Sequence, residues 1–141
     1  MFSLQVLFYG DHVRLSRRCL KSLKSNLSEQ VSEIRIGLNA VCPETLELVH
    51  SLFADQPLPV WLYQSPVNVW KYPLMRRMFY DADRPINCPY ICWFDDDSFF
   101  RSDNPQRWHQ YATVMSTSDM LGRIYRRRFQ GRMTDAVATQ P

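Results

Sequence analysis

Three consecutive aspartates, Asp95-Asp96-Asp97, follow the apolar run Tyr90-Ile91-Cys92-Trp93-Phe94 and carry the most specific chemistry in the chain. Adjacent carboxylates raise one another's pKa, and desolvation at the end of a buried strand acts in the same direction. A divalent cation relieves both effects, and Mg2+ or Mn2+ favours carboxylate oxygen. Alternate side chains of a strand share a face, so Asp95 and Asp97 are expected to converge as metal ligands while Asp96 faces elsewhere. The segment Lys71-Tyr72-Pro73-Leu74-Met75-Arg76-Arg77 joins cations to a helix start, and Lys71 with Arg76 suits a diphosphate. Arg76 and Arg77 diverge by about 100° on a helix, so both cannot face one ligand. An exposed helix face is the competing reading of these cations.

Positioning such groups requires a scaffold, and the apolar pattern supplies one. Ser3-Leu4-Gln5-Val6-Leu7-Phe8-Tyr9 is rich in strand formers and stops at Gly10-Asp11, a turn signal that also offers a helix N-cap. Val13, Leu20, Leu23 and Leu27 then recur at helical spacing, with Arg14, Arg17, Arg18, Lys21 and Lys24 on the other side. Glu33 to Leu38 alternates as a strand does. Pro43 suits the first turn of a helix through Leu46, Val49 and Phe53, where a missing N–H costs nothing. Val60 to Tyr63 reads as a third strand and Pro73 as the opening of a third helix, with Leu74, Met78 and Phe79 inward. Tyr90 to Phe94 is the fourth strand, apolar enough to be covered on both faces. Strands alternating with helices predict an α/β fold with a mainly parallel sheet and crossover helices. In such sheets ligands bind beyond the carboxyl ends of the strands, where the aspartates fall. Beyond Phe100, Pro105 to Tyr111 reads as a short helix, Ala112 to Met115 as a strand, and Leu121 to Tyr125 as another.

The bulk composition fits one globular domain: 141 residues, 45% hydrophobic, 13% aromatic, with 17 basic against 14 acidic side chains. Arg123, Arg126, Arg127, Arg128 and Arg132 crowd the C-terminal stretch, but no aromatic stacking pattern accompanies them, and nucleic acid is not the expected partner. Cys19, Cys42, Cys88 and Cys92 show no CxxC spacing, and His12, His50 and His109 do not sit at zinc-finger distances from them. All four read as free thiols of a reducing compartment. Met1 leads into a strand-like stretch and not a signal peptide, and no apolar run approaches the roughly 20 residues of a membrane span, so a cytoplasmic location is expected.

The hydrophobic strand closing in Asp95-Asp96-Asp97, preceded by strands ending at Tyr9-Gly10-Asp11, at Leu38-Asn39 and near Tyr63, resembles the DXD region of GT-A glycosyltransferases, particularly the family-2-like enzymes that use nucleotide-diphosphate sugars. The resemblance covers about residues 3 to 100. It implies a Rossmann-like GT-A sheet with core strand order 3-2-1-4 and transfer of a sugar from a nucleotide-diphosphate donor, dependent on Mn2+ or Mg2+. By this resemblance Asp95 lies near the ribose or a metal-bound water and Asp97 ligates the metal, which stabilises the departing nucleotide diphosphate. Tyr9, Gly10 and Asp11 line the base and ribose pocket. Asn39 stands where the family often has an acid, and Lys71, Arg76 and Asp96 complete the donor site. Trp61, Trp70 and Trp93 could be sugar platforms, although Trp61 and Trp93 lie in strand patterns and read better as core.

A transferase of this type has a second half that binds the acceptor, and inverting members supply a carboxylate base from it. The acids after the cluster are Asp103, Asp119 and Asp135, and none sits in a motif assignable as that base. Residues 1–104 are expected to form the nucleotide-sugar-binding domain and 105–141 an incomplete continuation, with the acceptor half missing and a sheet edge left uncovered. Two alternatives remain: a non-catalytic nucleotide-binding or assembly module, and a haloacid-dehalogenase-type phosphohydrolase. The latter usually carries its Asp-x-Asp on the first strand.

Overall fold

Strand β1 (Phe2–Tyr9) is buried along its length up to Tyr9, because it lies inside a sheet whose order is β3-β2-β1-β4, with β2 (Val31–Asn39), β3 (Val60–Ser65) and β4 (Tyr90–Asp95). Every pairing in this sheet is parallel, as the alternating strand–helix pattern predicts. The structure is a computed structural model that describes the backbone at residues 1–123, 128–129, 132–133 and 137–140, with side chains through Asp119. The expected strand residues Ile124 and Tyr125, the side chains of the C-terminal arginines, and Asp135 lie outside the described residues. The chain divides into two units, Met1–Pro105 and Gln106–Pro141. The second holds α4 (Arg107–Met115), an antiparallel pair of β5 (Met120–Arg123) with β8 (Val137–Gln140), and a short pair of β6 (Arg128–Phe129) with β7 (Arg132–Met133).

In the first unit the helices are α1 (Val13–Lys24), α2 (Pro43–Phe53) and α3 (Lys71–Phe79). α1 buries Ser16, Cys19, Leu20 and Leu23, the one-face spacing that its sequence shows, and packs beside α2. Fully burying Leu20 and Leu23 contributes about 1.5–3 kcal/mol each. α3 packs on β1, β2 and β3. Right-handed crossovers explain the division, since the chain advances from β1 to β3 and then returns past β1 to β4. The register aligns Leu7, Gly37 and Tyr63 across the sheet, and Leu7, Tyr63, Leu74 and Met78 form a buried cluster under α3. Gly37 permits this approach: a Cβ there would meet Met78 Sδ at 2.8 Å, Leu7 Cγ at 3.3 Å and Leu74 Cδ2 at 3.4 Å.

A buried arginine fixes the other end of α3. Arg35 on β2 is 0% exposed and donates to Glu33 (2.7 and 3.2 Å), to Tyr63 Oη (3.3 Å), and to the carbonyls of Met78 (2.6 Å) and Arg84 (2.5 Å). A buried cation is tolerated only when paired and fully hydrogen-bonded, and a helix C-terminus is a favourable place for it. Tyr63 in turn donates to Asp81 (2.9 Å). Burial, with that hydrogen bond, pushes the Tyr63 phenol up to about 12, while the same bond holds Asp81 below the usual carboxylate range. Anchoring Met78 and the loop after α3 leaves the opposite end of the helix, Lys71, at the carboxyl edge of the sheet.

Several expectations are corrected. α1 starts after His12, with no side-chain cap from Asp11, and ends at Lys24 short of Leu27. α3 begins at Lys71, two residues ahead of Pro73, whose missing N–H falls in the first turn where no intrahelical partner exists. Ala112 to Met115 continues α4, because a short apolar run does not distinguish strand from helix. β4 is not covered on both faces: Ile91 is 47% exposed, and among the described residues the strand pairs only with β1. β4 also ends at Asp95, and Ser98 N–H closes a turn onto the Asp95 carbonyl at 2.9 Å. Strand alternation therefore stops before Asp96 and Asp97.

Candidate functional site

The carboxyl ends of β1, β2 and β4 enclose an open cleft of ≈ 420 Å3 lined by Leu7, Tyr9, Asn39, Asn68, Trp70, Lys71, Asp95, Asp96 and Asp97. It sits where the strand order reverses, between β1 and β4, with Leu7 in register with Asp95. All three aspartates reach it, because the turn after Asp95 removes the alternation that would have sent Asp96 away.

Asp95 is oriented by its neighbours. Its Oδ1 accepts from Lys71 Nζ at 2.6 Å and from the Trp93 indole N–H at 3.0 Å. Its Oδ2 takes no protein hydrogen bond among the described residues, so one oxygen remains for a ligand or metal. The Lys71–Asp95 pair is roughly half exposed, at 42% and 47% of the side chains. Such pairs are worth about 0–1 kcal/mol to stability, so the lysine can transfer to a phosphate at little cost. Asp96 is half-buried, and burial, then the charges of Asp97 and Asp95, push its carboxyl above the usual range, partly offset by His12. A cation at this turn would relieve that repulsion.

Among the described residues no three His, Cys, Asp or Glu side chains converge to hold a metal by themselves. The donor set still fits Mg2+ or Mn2+ chemically. Such ions are commonly held by one or two carboxylates plus substrate phosphates and water, and Asp95 Oδ2 with Asp97 offers that number.

Asn39 proves to be a positioning residue. It is 2% exposed; its Oδ1 accepts Val69 N–H at 2.9 Å and its Nδ2 donates to Asn68 Oδ1 at 2.9 Å. Asn68 Oδ1 also accepts Trp70 N–H at 2.9 Å. One donor and one acceptor of the Asn39 amide are therefore engaged by the 68–70 segment, which gives this cleft-lining residue a positioning role.

Tyr9, Asn39, Lys71 and the aspartates are thus brought together, whereas three expected residues do not line the cleft. Gly10, at φ +63°, forms the turn after β1, donates to the Asn39 carbonyl (3.3 Å) and accepts from Cys42 N–H (3.3 Å). Asp11 is exposed beyond that turn. Arg76 lies in the last turn of α3, at the far end from Lys71. Leu7, Asn68 and His12 were missed. His12 stacks edge-on with Tyr9, with ring centroids 5.2 Å apart, and lies near enough to Asp96 to act on its carboxyl. Asn68 carried a usable signal, an Asn two residues before a helix N-cap, but nothing in the sequence pairs it with Asn39. Trp61 and Trp93 flank the apolar cluster under α3, while Trp70 is 74% exposed.

A second concavity of ≈ 360 Å3 at the amino ends of β2 and β3 is lined by Glu33, Trp61 and Arg84, among others. Two of its charged side chains are engaged within the fold, Glu33 by Arg35 and the Arg84 guanidinium by stacking 4.6 Å over Trp61.

No protein-family model matches the chain, and no curated protein matches it. Among solved structures, the crystal structure of S. aureus TarS 1-349 superimposes on 84% of this chain with a TM-score of 0.55 and 15% identity. The chain spans about a third (33%) of that structure's length. The protein therefore has a glycosyltransferase-like α/β fold, built on an all-parallel sheet of order 3-2-1-4.

Proposed function

We propose that this protein binds a nucleotide-diphosphate sugar in the cleft at the carboxyl ends of β1, β2 and β4, and that it belongs to a metal-dependent glycosyltransferase of GT-A type. The observation that carries the reading is the Asp95–Asp97 turn, placed beside Lys71 at the reversal of strand order. Lys71 exchanges its bond to Asp95 for one to the diphosphate. Trp93 keeps Asp95 oriented after the lysine leaves. Tyr9 borders the nucleoside, and Asp97 with Asp95 Oδ2 would hold Mn2+ or Mg2+. When bound, that ion supplies charge stabilisation to the leaving nucleotide diphosphate. The acceptor is a hydroxyl-bearing molecule of unassigned class.

The fold likeness supports the transferase reading. The acids close β4 and not β1, which disfavours the phosphohydrolase alternative. Four free cysteines support a reducing, cytoplasmic setting, and among the described residues no helix is long and apolar enough to cross a membrane.

Calorimetry with UDP, GDP and their sugars, with and without Mn2+, tests the proposal. Affinity should require the metal and collapse in Asp97→Ala. Binding indifferent to both refutes it.

A further inference from the structure

Trp70 occupies a backbone conformation that its side chain does not favour. Its φ is +67° with ψ 169°, a region that is essentially reserved for glycine. A non-glycine residue there is strained and persists only when the surroundings impose it. The imposing contacts are those from Asn39 to Val69 and Asn68, and from Asn68 to Trp70 N–H. The side chain returns nothing for this strain: the indole is 74% exposed and makes no hydrogen bond or ring contact among the described residues. Trp70 does line the cleft, next to Asn68 and Lys71.

Its place in the cleft is informative. The charged groups Lys71, Asp95, Asp96 and Asp97 gather at the end of β4, whereas the 68–70 segment is tied to Asn39 at the end of β2. β1 lies between, so the two ends are about 10 Å apart at ordinary strand spacing. A ligand with phosphates at the β4 end extends its non-ionic part toward β2. Trp70 offers a flat π-face there, with Tyr9, itself 48% exposed, on the intervening strand.

We propose that Trp70 is the stacking wall for the heteroaromatic base of the nucleoside diphosphate, held in strained backbone by the Asn39–Asn68 pair so that its indole faces the cleft. The inference rests on the donor reading above and adds a specificity-determining residue to it. Aromatic–base stacking is sequence-tolerant, so the wall favours nucleotides as a class and leaves the choice of base to edge contacts.

The test measures affinities of the full chain for UDP, GDP and inorganic pyrophosphate in Mn2+, with melting curves, for wild type and Trp70→Phe, Trp70→Ala and Trp70→Gly. Loss of stacking should weaken UDP and GDP roughly 5- to 150-fold in the alanine and glycine variants, with the phenylalanine variant within about threefold of wild type. Pyrophosphate affinity should stay within about twofold in all of them, because the diphosphate contacts are untouched. Trp70→Gly should raise Tm by about 2–8 °C as the strain is relieved, so that stability rises while binding falls. Trp70→Ala that binds UDP and GDP like wild type, or loses pyrophosphate equally, overturns the base wall and leaves the donor reading standing. A wild-type chain that binds neither UDP nor GDP overturns both. A glycine variant that melts below wild type overturns the stored strain.

Discussion

Replacing Asn39 by alanine removes both hydrogen bonds that hold the 68–70 segment against β2, each 2.9 Å long and made by a side chain 2% exposed. A neutral hydrogen bond contributes a net 0.5–1.5 kcal/mol or so, and the Val69 N–H is left without its acceptor, so the expected loss is about 1–3 kcal/mol. For a chain of this size that corresponds to a fall in Tm of roughly 4–15 °C. Binding should weaken as well. If the freed segment holds its binding geometry about a tenth of the time, nucleotide affinity drops about tenfold. Asn39→Asp separates the two bonds. The carboxylate still accepts from Val69 N–H but faces the Asn68 oxygen with no proton to give, until the Asn68 amide turns its NH2 inward. The aspartate variant should therefore lose less than the alanine variant in both measurements. Urea unfolding and calorimetry with UDP in Mn2+ provide the readouts. An alanine variant that unfolds at the wild-type midpoint, or is destabilised yet binds UDP normally, refutes the positioning role.

Lys71→Met should change stability by no more than about 1 kcal/mol, since its pair with Asp95 is half exposed, yet weaken UDP by roughly 10- to 100-fold through loss of a charged hydrogen bond. Thermal melts beside calorimetry check the split. Gly37→Ala should destabilise by about 1–3 kcal/mol, because the added methyl must displace Met78, Leu7 and Leu74, and part of the damage should appear as weaker nucleotide binding once α3 shifts. Tyr63 is pushed up to about 12, so the neutral phenol is the form the fold prefers. Its contribution is full below the unfolded value near ~10 and lost as pH rises from there through the folded one. Tyr63→Phe should accordingly be less stable than wild type at pH 8, with the difference shrinking toward pH 12 in urea midpoints.

The repeating strand–helix pattern was sufficient to establish the α/β class and the parallel sheet, because apolar periodicity reports directly on which faces are buried. The strand order expected from the family resemblance also holds. The acidic cluster, Lys71 and Tyr9 could be placed at one end of the sheet because each sits at a recognisable strand or helix boundary. Boundary chemistry was harder to read. Asp96 entered the cleft through a turn that begins one residue earlier than alternation allows, and Pro73 falls inside α3 because its first turn needs no N–H. Long-range pairings were invisible. Arg35 reads as a polar position of an alternating strand, yet it is buried and holds the C-terminal end of α3 through main-chain carbonyls contributed by distant residues. Asn39 reads as a ligand contact, and nothing in its own segment shows that its amide also holds a segment about 30 residues away. Residue types and spacing determined that a carboxylate site ends a parallel strand. The tertiary structure alone decided which polar groups face the cleft and which are consumed in shaping it, because a hydrogen bond between segments distant in sequence leaves no periodic trace in either one.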